Sequence, residues 1–88
     1  MKNSLNIHQT LKTFQKILEH GKKQGNEYRL NGITASTDFD GYTVFLSDEK
    51  VTLSIFFHNK YDLASSNKID EMAFFDKLRN IETKQYAS

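Results

Sequence analysis

Five side chains could do chemistry together: Asp38, Asp40, His58, Asn59 and Asp62. Carboxylates and an amide oxygen suit a hard cation. An imidazole near them could act as acid or base. Their spacing places them at the ends of three successive strands, so a meander would gather them at one corner. The same residues also have a purely structural use. Asp38 and Asp40 bracket a turn in "DFDG", and Asp side chains favour turns by bonding nearby backbone N–H groups. "DFDG" lacks the further acidic positions and the later glycine of a calcium loop. The structural reading is the expectation, with no bound metal and no cofactor. Asp38, Asp40, His58 and Asp62 are kept as the candidate ligands of the alternative.

Other chemistry finds little footing. His8, His20 and His58 have no metal-ligand spacing, and no zincin motif, nucleophile elbow or phosphate-binding glycine loop is present. The serines and threonines have no base at a predictable distance. The expectation is that the chain is not an enzyme. With a formal net charge of +1 there is no field that would select nucleic acid or an anionic membrane. The absence of cysteine excludes disulfides and thiolate zinc sites. The start has the look of a helix rather than a signal peptide, and no stretch approaches the roughly 20 apolar residues of a spanning helix. The expected location is the cytoplasm.

The elements that must position these residues follow from periodicity. Ile7, Leu11, Phe14 and Leu18 recur at helical spacing, with Asn6 as N-cap and Gln9 three residues on. Lys22 and Lys23 suit the helix C-terminus, and Gly21 or Gly25 its left-handed end. Four runs of period two follow, joined at Asn31-Gly32, Asp40-Gly41 and Asp48-Glu49. Treated as two-residue loops, these set Leu30 against Ile33, Thr37 against Val44, Phe39 against Tyr42, and Val44 against Leu53 with Tyr42 against Ile55. One face then collects Tyr28, Leu30, Ile33, Ala35, Phe39, Tyr42, Val44, Leu46, Val51, Leu53, Ile55 and Phe57. A second helix begins near Asn67, with Ile69, Met72, Phe75 and Leu78 as its stripe and Phe74 and Ile81 as further candidates. The expected fold is α+β in the order α-β-β-β-β-α: a four-stranded antiparallel meander with both helices on one face. The 88 residues suffice for a single domain, 1–88, with an ordered core of about 5–82.

The second face of that sheet is polar except for Phe45 and Phe56. In this register they stand about 13 Å apart, too far to stack adjacent bases, so nucleic acid is not an expected partner. The strand "VTLSIFF" lies at an edge and carries no charge or proline inside it, which makes it a template for pairing. Either "KYDLA", Lys60 to Ala64, folds back over it, or another strand does. The partner-binding residues expected are Phe45, Thr52, Ser54 and Phe56, serving a protein partner or a homodimer through strand 51–57. No membrane partner is expected.

"TDFDGYTVFL", Thr37 to Leu46, and "FFHNKYD", Phe56 to Asp62, resemble a family of short uncharacterised bacterial proteins, best known from gammaproteobacteria and filed as a domain of unknown function. The resemblance runs from Ile7 to Leu78. It implies a bacterial cytoplasmic origin and no activity, cofactor or site residue. The function expected is therefore that of a small non-catalytic interaction or self-associating domain. The alternative is a small-ligand or divalent-metal domain built on the Asp38 corner.

Overall fold

A computed structural model describes residues 6–56 and 60–84. The elements are α1 (Ile7–His20), β1 (Lys22–Gln24), β2 (Glu27–Leu30), β3 (Ile33–Thr37), β4 (Val44–Ser47), β5 (Thr52–Phe56), β6 (Lys60–Ala64) and α2 (Lys68–Thr83). The strands form one antiparallel sheet in sequence order. The α+β class and the antiparallel meander are as expected, but the sheet has six strands rather than four. The two additions flank the expected set, one at each edge.

Helix starts follow their caps. The Asn6 side chain accepts from the Gln9 N–H, and the Asn67 side chain accepts from the Asp70 N–H. The end of α1 corrects the sequence reading. Gly21 has extended backbone, with φ −79° and ψ 168°, and no left-handed conformation. Glycine is needed there for room: a Cβ would lie 2.5 Å from the Ile17 carbonyl oxygen and 2.8 Å from that of Arg29. The chain therefore leaves the helix directly into β1. Lys22 and Lys23 are strand residues rather than partners of the helix end.

The turns explain the register. Asn31 and Gly32 have φ of 54° and 81°, the paired left-handed values of a type I′ turn, and Leu30 faces Ile33 as expected. Gly25, at φ 63°, opens the β1–β2 turn with Asn26. The β3–β4 ladder keeps Thr37 against Val44 and Ala35 against Leu46. It stops there, because Asp38 and Thr43 close the loop: the Asp38 N–H donates to the Thr43 carbonyl and the Gly41 N–H to the Asp38 carbonyl. Phe39 and Tyr42, expected in the core, are carried out on the loop and exposed.

The third turn is two residues longer than expected. Leu46 faces Leu53 and Val44 faces Ile55, not Val51 and Leu53. Asp48 dictates the longer loop. Its Oδ1 accepts from the N–H groups of Lys50 and Val51, and its own N–H donates to the Val51 carbonyl. A shift of two residues preserves which side chains face which way, so the expected apolar face largely survives. Ile33, Ala35, Leu46, Val51, Leu53 and Ile55 pack in one core with Phe14 and Ile17 of α1 and with Phe74, Leu78 and Ile81 of α2. Both helices thus lie on one face. On α2 the later part of the expected stripe is inside, with Phe74, Leu78 and Ile81 buried and Phe75 packed against them, whereas Ile69 and Met72 are exposed.

Polar ties hold α2 at its end and along its length. The Lys16 ammonium donates to the carbonyls of Ile81, Glu82 and Lys84 at 2.7–2.8 Å, capping the helix end with positive charge. Lys77 reaches Asp48 at 3.2 Å, and the Asn31 amide donates to the Lys77 carbonyl.

Candidate functional site

The acidic corner comes apart in the folded chain. Asp38 directly follows β3, and its Oδ1 accepts the Thr43 N–H at 3.2 Å. That bond, foremost among several, holds its carboxyl below the ordinary aspartate value. Asp62 is on β6 opposite Ser54. Three strand spacings separate β3 from β6, about 14 Å across the sheet. Asp40 lies exposed in the loop between Asp38 and Gly41. His58, with Asn59, lies outside the described residues. Among the described residues no group of three or more His, Cys, Asp or Glu side chains could hold a metal ion. Asp38 acts here as a turn cap.

The four residues expected to meet a partner do come together. The pairings Phe45–Ser54 and Ser47–Thr52 place Phe45, Thr52 and Ser54 on the face opposite the helices, and Phe56 follows Ser54 by two positions on that same face. Phe56 is therefore the diagonal neighbour of Phe45, at about 7–8 Å rather than 13 Å. The longer Asp48 loop causes this difference. Phe45 is half-buried and Phe56 is 42% exposed. Around them stand hydroxyls: Thr34, Ser36 and Ser47 continue the same rows across β3 and β4. The stacking-distance objection to nucleic acid is thereby removed. The charge objection remains, since Lys22, Arg29 and Lys60 on this face are balanced by Glu27, Asp38 and Asp62.

The expected free edge of the sheet is also occupied. β5 is paired on both sides, to β4 and to β6. Lys60–Ala64 forms a strand that covers the long apolar one from within the chain, so β5, the described part of the expected strand 51–57, offers no free edge for a homodimer.

On the helix face a groove of about 700 Å³ opens between α1, α2 and β6. Tyr61, Leu63, Met72 and Phe75 supply its apolar wall, and Lys68, Glu71 and Arg79 its rim. The groove has a simple origin. Six strands span about 24 Å, whereas two helices roughly 10 Å wide cover about 20 Å. The uncovered strip falls over β6, which leaves Tyr61 and Met72 at 42% and 62% exposure. Sequence reasoning missed this groove because it placed Met72 in the core and left Lys60–Ala64 without a fixed partner.

A family model described as a protein of unknown function (DUF3081) matches residues 5–88. The chain belongs to this family. No curated protein and no solved structure matches the chain. Membership in the DUF3081 family agrees with the resemblance carried by "TDFDGYTVFL" and "FFHNKYD", and it assigns no activity or site residue. Among the described residues no helix is long and apolar enough to cross a membrane.

Proposed function

We propose that this chain is a non-catalytic bacterial cytoplasmic domain that binds another protein, with the uncovered sheet face as its docking surface. The observation that carries the reading is the diagonal pair Phe45 and Phe56 on a face that the helices leave open. Two adjacent rings give a compact apolar anchor, and the hydroxyls of Thr52, Ser54 and Ser47 surround it with groups that bond a partner's backbone. An aromatic centre with a polar rim is the usual anatomy of a protein interface. The balanced charge of the face suits a polypeptide better than a phosphate backbone. The Asp38, Asp40, His58 and Asp62 reading has no comparable support, because Asp38 is consumed by its turn and Asp62 stands three strands away.

The test compares capture by three forms of the chain. A protein retained by the unmodified chain should be lost by the Phe45→Ser, Phe56→Ser double variant and kept by Met72→Ser, which alters only the groove. Added to labelled chain, that purified protein should shift the amide resonances of Phe45, Thr52, Ser54 and Phe56. Capture that survives the double variant, or shifts confined to the groove, would sink this reading.

A further inference from the structure

The sheet has two edges, and they differ in kind. β1 has three residues, all exposed, of which Lys22 and Lys23 are consecutive. A second copy paired there would meet lysine on both faces of the sheet. β6 has five residues and no proline, and among the described residues no strand lies on its outer side. Edges of this length are usually blunted by charge. The charges of β6 are Lys60 and Asp62, opposite in sign and two residues apart, and therefore on one face.

That spacing is self-complementary in one register. In an antiparallel pair of β6 strands related by a two-fold axis at Tyr61, Lys60 faces Asp62 of the second copy and Asp62 faces its Lys60. Tyr61 then faces Tyr61 on the helix side. Moving the axis to Asp62 sets the two aspartates against each other, and moving it to Lys60 does the same for the lysines. A shift of one residue sets Tyr61 against Asp62 and turns the two helix layers to opposite sides. Only the Tyr61-centred register matches charge with countercharge and ring with ring, each a favourable cross-strand pair.

A second observation points to the same edge. The helix layer stops short of β6, so Tyr61 and Met72 remain exposed beside the edge. Two copies joined at Tyr61 bring these apolar strips together on one side of a continuous sheet. We propose that the chain forms a two-fold homodimer through β6, with Tyr61 at the axis and two Lys60–Asp62 pairs across it. The joint is isologous and closed, because each copy spends its one long edge on the other. It uses the edge rather than the Phe45–Phe56 face, so its fate and that of the partner reading are decided separately.

The experiment is a charge swap followed by sedimentation equilibrium on the full chain. The unmodified protein should sediment as a dimer. Lys60→Asp and Asp62→Lys each replace two attractive pairs by two repulsive ones, and each should raise the dimer dissociation constant about tenfold or more. The double variant, Lys60→Asp with Asp62→Lys, restores the match and should recover dimerisation to within about threefold. Both side chains are exposed, so circular dichroism and the melting midpoint at low concentration should not move. A monomer at about 1 mM, or single variants that dimerise as well as the parent, would overturn the proposal. Because the chain has no cysteine, Tyr61→Cys gives an independent readout. It should form a disulfide-linked dimer under mild oxidation, since paired Cα atoms near the axis fall within disulfide reach. Cross-linking by Lys22→Cys in its place would put the joint at the wrong edge.

Discussion

Asp48 shows how much one carboxylate can decide. Its side chain is 5% exposed, receives two backbone N–H groups at 2.8 Å through Oδ1, and meets Lys77 at 3.2 Å through Oδ2. Burial pushes its carboxyl upward, but the N–H groups of Lys50 and Val51 and the Lys77 ammonium outweigh that and hold it below the ordinary value. A carboxyl depressed in the folded state contributes stability that is complete above its unfolded value, near 3.9, and is lost as pH falls through the lower folded value. Asp48→Asn keeps the shape and removes the charge. It should lower stability at pH 7 by about 1.5–3 kcal/mol, the range for hydrogen bonds to a charged group. In urea titrations the gap between variant and parent should close as pH falls below about 4. A gap that stays constant down to pH 2 would mean that the charge of Asp48 contributes nothing.

At the scale of elements, legibility tracked glycine. Asn31-Gly32 fixed the β2–β3 register, and Asp40-Gly41 marked the β3–β4 hairpin, because left-handed turn positions leave few choices. The β4–β5 loop has no glycine, and its length is set by a side-chain bond from Asp48 that composition does not advertise. The agreement of apolar faces did not catch the error, since it tests only whether a shift is odd or even. β1 was hidden because Lys22–Gln24 buries nothing, although Gly25-Asn26 is a hairpin signal in its own right. β6 alternates too briefly to be told from a link. The expected gathering of Asp62 with Asp38 fails for the same reason, since β6 carries Asp62 to the far edge, while the structural use of Asp38 in its turn is as expected. The end of α2 rests on a tie equally silent in sequence. Lys16 reaches it from α1, 65 residues earlier in the chain, and caps three carbonyls. Lys16→Met keeps the stem and removes the donors. The last turn of α2 should then fray, with faster hydrogen exchange at Asn80 to Lys84 and a stability loss of about 1–2 kcal/mol. Unchanged exchange there would show that packing of Ile81 holds the turn unaided.

For the whole molecule the governing fact is that two helices must cover a sheet slightly wider than themselves. The core concentrates where cover is complete, over β3, β4 and β5, and α2 turns Phe74, Leu78 and Ile81 down onto it. Ile69 and Met72, which the helical stripe in the sequence had put inside, are left at 76% and 62% exposure. That arrangement predicts a sharp contrast between residues of similar size on one helix. Phe74→Ala and, on the sheet, Leu53→Ala remove fully buried side chains. Each should cost about 2–5 kcal/mol in the urea midpoint analysis, a loss comparable with the total stability of a domain this small. Ile69→Ser and Met72→Ser sit on the solvent side and should each stay within about 0.5 kcal/mol of the parent. The comparison fixes the rotation of α2 about its own axis. If Met72→Ser costs as much as Phe74→Ala, the helix presents its other face, the groove beside β6 is closed, and Tyr61 stands inside the core rather than at a joint between copies.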